Sequence, residues 1–377
     1  MKKTFLFTLM ALITPCLCLA SGDVTDQLLM AMKTYRVPVV GYAIIDHYKI
    51  VDAKTVSLNK ALKTSNNTLF QAASISKSVT AYAALSLVDK NKIQLNKPAN
   101  VYLNAWKITD NQFTKHHPVK VINLMDMTSG ASVSGFAGYK NGKKLPSNIE
   151  LLNGVAPANN LPVRIIYVPG SKYFYSGGTF QILQEIISRV SKQSFVKFMN
   201  GTVLKKLQMH NSIYQYPLTN KRLRSLAVPG FDGWSGKKIP GGWHNYACLG
   251  ACGMWSTPIN LAKFALNITS SYLGSPHGLI SKNLARKMLT RQKNTSFGLG
   301  VVVAGAGKNL YFWKAGQNYG YHSLLIMFPN RGKGLAIMTN SETGDVVINY
   351  ITAVIAHDYH WPYYFPFFDE LIKSPDY

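Results

Sequence analysis

Acidic residues are scarce in this chain of 377 residues, which has 16 Asp and Glu against 41 Lys and Arg. The formal net charge at pH 7 is therefore +25. Such an excess favours contact with nucleic acid, with anionic lipid head groups or with the acidic polymers of a bacterial envelope. No basic run carries interleaved aromatic residues, so we do not expect nucleic acid as a partner. The alternative to envelope contact is that the charge serves no particular partner.

Cysteine is also scarce, and two of the four cysteines, Cys16 and Cys18, lie among the first twenty residues. The other two are Cys248 and Cys252. An exported protein can form a disulfide there, but this spacing closes only a tight loop, and a helix would hold the two sulfur atoms awkwardly. The sequence therefore disfavours the bridge without deciding it. With no second cysteine pair and no clustered histidines, we predict no metal site.

The first twenty residues have the pattern of a secretory signal peptide. Lys2 and Lys3 precede an apolar run that ends in the small residue Ala20. The segment is shorter than a typical membrane span. We therefore predict a signal peptide over residues 1–20, cleaved near Ala20, and an exported bacterial protein, periplasmic or secreted. An uncleaved anchor is the alternative.

Strand patterns occur near both ends of the chain, and helical patterns lie between them. A helix is predicted from Asp23 to Tyr35, and residues 37–58 alternate apolar and polar side chains as two antiparallel strands do. After two helices near residues 258–268 and 281–289, the sequence predicts four strands and a final helix, over residues 297–305, 310–316, 321–329, 333–340 and 344–360.

This order predicts an α/β (α+β) fold in which one antiparallel sheet, flanked by helices, is built from both chain ends. We assign residues 21–88 and 245–377 to that α/β domain. Residues 89–244, where helical runs are separated by Pro, Gly and Asn clusters, form a mainly helical inserted domain.

One stretch has the residues of a serine nucleophile. In FQAASISKSVTAYAALSL, residues 70–87, Ser74 and Lys77 stand at the start of a predicted amphipathic helix. Their spacing of three places both side chains on one side of the first turn. A desolvated lysine can accept the serine proton, and the helix start favours the developing alkoxide. The same S-x-x-K spacing also occurs at Ser57, Ser194 and Ser235, so it is weak evidence alone.

The segment around Ser74 resembles the active-site motif of the serine β-lactamase and penicillin-recognising hydrolases, most closely the class C branch. Two further family elements follow in order. Tyr175, in YSGG, stands where the family carries the tyrosine of Y-x-N, and Lys314, in KAG, stands where it carries its K-T-G strand. The likeness covers residues 23–344, and the YSGG sequence is similar to a branch of generic serine hydrolases.

The resemblance implies a β-lactamase/transpeptidase-like fold and three catalytic residues. Ser74 would be the nucleophile, and Lys77 and Tyr175 would take its proton. A phenol placed between ammonium groups ionises more easily, so the tyrosine can serve as a general base. No cofactor is implied.

The resemblance also implies four residues on the substrate side of the site. Lys314 would hold a substrate carboxylate, and Gly316 would let the substrate backbone approach. The backbone N–H of Gln317 would join that of Ser74 as the oxyanion hole. Gly177 stands where the family has an asparagine. Since it has no amide side chain, efficient β-lactam turnover is disfavoured.

We therefore predict an exported serine hydrolase that forms an acyl-enzyme and acts on small esters or on D-amino-acid peptides and amides of the cell wall. The first alternative is a β-lactamase or DD-peptidase proper, and the second is a catalytically idle envelope-binding protein of the same fold. An unrelated α/β-hydrolase is disfavoured because the chain has no G-x-S-x-G. The motifs specify neither the substrate nor the oligomeric state, since one acyl-enzyme chemistry serves many substrates.

Overall fold

A computed structural model describes residues 23–293 and 295–362. The predicted signal peptide and the C-terminal residues from 363 onward lie outside the described residues. Within them, every helix is too short or too polar to span a bilayer.

The centre of the fold is a six-stranded antiparallel sheet with strand order β2-β1-β11-β10-β9-β8. Its strands are β1 (Val39–Asp46), β2 (Lys49–Ser57), β8 (Val302–Ala304), β9 (Tyr311–Asn318), β10 (Tyr321–Phe328) and β11 (Lys333–Thr339). The N-terminal β1 pairs with the C-terminal β11, with Ala43 opposite Ala336. The predicted sheet built from both chain ends is therefore confirmed.

Two smaller sheets lie outside this one. The first has the order β3-β7-β4, and the second pairs β5 with β6. Their strands are β3 (Phe70–Gln71), β4 (Ile213–Tyr214), β5 (Phe231–Asp232), β6 (Lys237–Lys238) and β7 (Met254–Ser256).

The helices pack on both faces of the main sheet and fill the middle of the chain. They are α1 (Val24–Thr34), α2 (Ile75–Asp89), α3 (Val121–Met125), α4 (Asn148–Asn153), α5 (Gly177–Ser191), α6 (Phe195–Phe198), α7 (Lys221–Leu226), α8 (Leu249–Cys252), α9 (Pro258–Leu273), α10 (Lys282–Met288) and α11 (Gly344–Asp358). Short 3₁₀ turns lie at Ala99–Val101 and Gly307–Asn309, and a π-helical turn at Met199–Leu204. Residues 89–244 contain α3 to α7 joined by long irregular segments, so they are less helical than predicted, and the bounds of the insertion stay a prediction.

The main sheet is buried on both faces, which explains where the strand prediction was incomplete. Tyr42 and Ile44 of β1 pack with α1 and α11, whereas Ala43 and Ile45 face the core that contains α2. β1 is therefore apolar on both faces and does not alternate, while β2, at the sheet edge, is more exposed. The alternation that the sequence predicts for both strands is wrong for β1.

Helix α2, which follows Ser74, was predicted to be amphipathic, and this prediction is wrong. Residues 75–87 are all buried, because the helix runs through the core between the main sheet and α5. Its polar side chains are satisfied internally: Ser78 Oγ donates to Gly300 O at 2.7 Å, and Thr80 Oγ1 donates to Gly250 O at 2.9 Å. The start of this helix is thereby held rigidly in the centre of the molecule.

The predicted strand over residues 297–305 is also shorter in the structure, where it spans only β8. Gly300 and Gly305 have φ values of +82° and +66°, so the chain turns on either side of β8. These left-handed conformations suit glycine and interrupt an extended run.

The structure joins Cys248 and Cys252 in a disulfide, the bridge that the spacing disfavoured. The helical argument fails because α8 is a single turn, and Cys248 precedes it with a non-helical ψ of 64°. The two Cα atoms lie 5.9 Å apart, which is within the normal range for disulfides.

Candidate active site

The structure places Ser74 at the junction of β3 and α2. The preceding Ala73 has a left-handed φ of +46°, so the chain turns sharply and leaves the serine at the helix start, partly exposed. Two polar groups contact its hydroxyl. Lys77 Nζ and the Tyr175 hydroxyl each lie 3.0 Å from Ser74 Oγ. A serine between an amine and a phenol has two neighbours able to take its proton.

Lys77 lies one turn into α2 and is 2% exposed. Its Nζ also donates to Ala251 O at 3.0 Å, which directs the amine toward Ser74. Burial lowers the pKa of Lys77, and the charge of Lys314 lowers it further, although Tyr175 acts in the opposite direction. The burial explains why this lysine can serve in proton transfer.

Tyr175 approaches from the start of α5. Ser176 caps that helix, and its Oγ donates to Ser132 O at 2.7 Å. The Lys77 and Lys314 ammonium groups lie 5.1 and 4.9 Å from the centre of the tyrosine ring. Burial acts to raise the pKa of Tyr175, but the charges of Lys314 and Lys77 and the hydrogen bond with Ser74 outweigh it and bring the pKa to about 7. A phenolate base is thus accessible near neutral pH.

Lys314 points to the Ser74 side of β9 and is 6% exposed. Its ammonium lies over the rings of Tyr175 and Phe297, 4.9 and 5.5 Å from their centres. Among the described residues, no carboxylate or hydrogen-bond acceptor pairs with it. A buried cation that no carboxylate of the described residues balances favours an anionic group brought by a ligand.

Gly316 brings β9 into contact with the turn that carries Ser74. A Cβ atom at this position would lie 2.5 Å from Ala72 O and 2.9 Å from the Ser74 backbone nitrogen. Only glycine permits this approach, and Gln317 follows it directly in the chain. The side chain of Gln317 is exposed.

Gly177 begins α5, next to Tyr175 in the chain. A Cβ atom there would lie 3.0 Å from the Phe136 ring and 3.1 Å from Ser134 O. An aromatic ring thus lies against the position where the resembling family has its asparagine. This site differs from the family pattern in having an apolar group there.

Two residues that were not predicted fix the backbone segment that contacts Lys77. Gln181 and Gln184 of α5 accept hydrogen bonds from the backbone N–H groups of Ala251 (3.2 Å) and Gly250 (2.7 Å). This segment supplies the carbonyl that contacts Lys77. Two glutamines three residues apart among the buried positions of α5 were the available signal.

Three further buried residues near Ser74 were also missed: Gln71, Asn318 and Ser323. Asn318 Nδ2 donates to Gln71 Oε1 at 2.8 Å, and Ser323 Oγ donates to Ala72 O at 3.0 Å. Because these contacts join distant parts of the chain, no local sequence pattern predicts them.

A serine in contact with a buried lysine and a half-buried tyrosine, beside a glycine strand and an unpaired ammonium, has the arrangement of a serine hydrolase site. The comparisons agree with this class. A family model described as Beta-lactamase matches residues 26–357, so the chain belongs to the Beta-lactamase family, whose members are serine hydrolases of the β-lactamase/transpeptidase type.

The individual relatives are distant. Protein flp of Staphylococcus aureus (strain N315) is 22% identical over 329 residues, which are 80% of this chain, and the chain spans 57% of the length of that protein. The octameric penicillin-binding protein homologue from Pyrococcus abyssi superposes with a TM-score of 0.72 at 21% identity, over 89% of this chain and 78% of that one.

A β-lactamase/D-alanine carboxypeptidase from Yersinia pestis superposes with a TM-score of 0.65 at 16% identity, over 88% of this chain and 97% of its own. At these identities the structural likenesses show the fold alone. They confirm the predicted fold class.

Proposed function

We propose that this protein is a serine hydrolase that forms an acyl-enzyme through Ser74. The observation that carries the proposal is the contact of Ser74 Oγ, which is partly exposed, with both Lys77 Nζ and the Tyr175 hydroxyl, each at 3.0 Å. The pKa of Tyr175, about 7, supports a phenolate as the base at neutral pH.

The reaction proceeds in two stages. The Tyr175 phenolate, stabilised by the Lys77 ammonium, takes the Ser74 proton, and Oγ attacks the substrate carbonyl carbon. The backbone N–H groups of Ser74 and Gln317 hold the oxyanion. The intermediate then expels the alcohol or amine, which takes the proton, and leaves an ester on Ser74. A water molecule gives its proton to the same base and attacks the ester carbonyl. The bond to Ser74 Oγ then breaks, Oγ takes the proton back from the base, and the acid is released.

The proposed substrates carry a carboxylate near the scissile bond, as D-amino-acid peptides and amides of the cell wall do. The unpaired, buried ammonium of Lys314 supports this choice. The name of the Yersinia pestis neighbour, a β-lactamase/D-alanine carboxypeptidase, is consistent with it. The apolar contact of Phe136 at Gly177 supports a peptide or ester substrate over a β-lactam.

Export to the bacterial envelope is part of the same proposal, and it depends on the first twenty residues of the sequence. Detection of the protein in the periplasmic or secreted fraction, shortened by about twenty residues, would support it. Cytoplasmic protein of full length would contradict it.

The first test is the intact mass after exposure to a fluorophosphonate. We expect one adduct on the wild-type protein and none on Ser74→Ala, because Ser74 is the serine in contact with Lys77 and Tyr175. Ser235→Ala is the matched control, since Ser235 has the same spacing to Lys238 in an exposed hairpin, and it should keep the adduct. A well-folded wild-type protein that takes no adduct would favour the idle binding protein.

The second test concerns the substrate class. In Lys314→Ala, hydrolysis of a D-Ala-D-Ala peptide should fall by about 10- to 100-fold more than that of a neutral ester. The peptide carboxylate loses its contact with the Lys314 ammonium, whereas the neutral ester has no carboxylate and no such contact to lose. The measurement is kcat/KM for both substrates. An equal loss on both would argue against a carboxylate contact.

A further inference from the structure

The nucleophile turn and strand β9 come from different sheets. Strand β3, which leads into Ser74, pairs with β7, whereas β9 belongs to the six-stranded sheet. Two side-chain hydrogen bonds join the nucleophile turn to the six-stranded sheet. Asn318 donates to Gln71 on the nucleophile side, and Ser323, from β10, donates to the carbonyl of Ala72. The relative position of the two segments therefore depends on side chains and not on a backbone ladder.

Both contacts are shielded from solvent. Asn318 and Ser323 are 4% and 2% exposed, and Gln71 is fully buried. A hydrogen bond in such surroundings is stronger than one at the surface, and loss of one partner leaves the other polar group unsatisfied. Neither link is readily replaced by water.

Ser323 contacts the strand and the turn at the same time. It lies opposite Gly316 in the β9–β10 register. A Cβ atom on Gly316 would lie 2.6 Å from Ser323 Oγ, so the hydroxyl occupies the space beneath the glycine. That hydroxyl also meets the carbonyl of Ala72, two residues before Ser74. One side chain thus spaces the segments that carry Gln317 and Ser74.

The restrained carbonyl lies one peptide unit before the Ser74 amide, within the same turn. It belongs to the peptide unit joined to Ala73, whose left-handed φ of +46° is unfavourable for a residue with a side chain. The same carbonyl accepts a bond from the Ile75 backbone at 3.1 Å. Such a turn persists only while its surroundings hold it, and the Ser323 hydroxyl is part of those surroundings.

We propose that Ser323 and Asn318 are positioning residues that set the separation of the Ser74 and Gln317 backbone N–H groups, the two donors of the oxyanion hole. This inference rests on the proposed function. Donors held in advance at the right spacing stabilise the transition state more than the bound substrate. Removal of either link should therefore lower kcat while KM changes little.

The test uses Ser323→Ala and Asn318→Leu in the full chain. Ser86→Ala is the matched control, because Ser86 is also a buried serine that donates to a backbone carbonyl, that of Ala83, and it lies further along α2. The substrate is a neutral nitrophenyl ester, and the transition-state mimic is phenylboronic acid, which becomes tetrahedral on a serine. Thermal unfolding is followed for every variant.

We expect kcat to fall by about 10- to 100-fold in both variants, with a parallel loss of boronate affinity, since a small displacement of catalytic groups has effects of this size. The pH dependence of kcat/KM should not move, because Lys77 and Tyr175 are untouched. Ser86→Ala should lose about as much thermal stability as Ser323→Ala and keep the kcat of the wild-type protein.

Unchanged kcat and boronate affinity in both variants, beside an active wild type, would overturn the positioning role alone. A shifted pH profile would also overturn it, since the defect would then lie in the base. If Ser323→Ala does not fold, Asn318→Leu decides by the same measurements. A wild-type protein that takes no fluorophosphonate adduct overturns the proposed function, and the positioning role with it.

Discussion

Tyr175 is the residue on which the proposed proton transfer depends. Burial alone would keep its phenol neutral, but the neighbouring charges of Lys314 and Lys77 reverse that effect and hold its pKa at about 7. Lys314 is thereby given two roles, because the cation placed to hold a substrate carboxylate also tunes the base. The two roles can be separated experimentally by pH.

With a neutral ester, kcat/KM should rise with pH through about 7, because the neutral phenol below this pH cannot accept the Ser74 proton. Tyr175→Phe should lower the rate by about 10²- to 10⁴-fold.

In Lys314→Ala, the loss of a positive charge raises the pKa of Tyr175, so the acid limb of the pH–rate profile should move to higher pH. The measurement is a pH–rate profile, corrected with Ser74→Ala for spontaneous hydrolysis. An acid limb that stays in place in Lys314→Ala would contradict the account.

At the scale of single elements, β9 does the most to assemble the site. Its alternation directs Lys314, Gly316 and Asn318 inward and leaves Ala315 and Gln317 exposed. One strand thus supplies the cation, the close approach to Ser74 and the link to Gln71. Helix α2 is the other fixed element, since its buried surroundings hold Ser74 and Lys77 in place.

Gly316→Ala should therefore abolish most activity. The added methyl would lie 2.5 Å from Ala72 O and 2.6 Å from Ser323 Oγ, so β9 must move away from the Ser74 turn. We expect a stability loss of about 1–3 kcal/mol, which is typical of overpacking. Ala315→Ser, on the exposed face of the same strand, is the control and should change neither property. Urea unfolding and ester hydrolysis measure the two effects, and full activity in Gly316→Ala would refute the close approach.

At the scale of the whole molecule, the positive charge is largely unpaired. Among the described residues, Asp46 and Lys333 form the one ion pair between an acidic side chain and a lysine or arginine, at 3.0 Å. We propose that the remaining cations give the protein an electrostatic attraction to the anionic envelope. Such an attraction is long-ranged and sensitive to salt.

The protein should bind vesicles that contain phosphatidylglycerol and release them as NaCl is raised from about 0.05 M to about 0.5 M, because screening shortens the range of the interaction from more than 10 Å to only a few ångströms. Vesicles of phosphatidylcholine alone are the control and should bind little at either salt concentration. Cosedimentation measures the bound fraction. Equal binding to both vesicles, or binding that salt does not change, would contradict the electrostatic proposal.

The sequence by itself determined the elements, their order and the local part of the site. Ser74 and Lys77 lie on one helical turn, so their spacing predicted that both side chains share one side of it, where the structure brings them into contact. The strand and helix patterns at both chain ends predicted the main sheet. The errors arose where burial or local geometry overrode the pattern: α2 and β1 are buried on all sides, and the disulfide closes beside a single helical turn.

Only the tertiary structure decided the distances and the electrostatic surroundings of Ser74. Tyr175 lies 101 residues from Ser74, and the carbonyl of Ala251 lies 174 residues from Lys77, so their contacts exist only once the helical region packs on the sheet. The pKa of Tyr175 depends on burial and on two charges that the fold brings together. Distances and electrostatic surroundings are properties of the packed chain. A motif can therefore predict which residues belong to the site, but it cannot determine their distances or their surroundings.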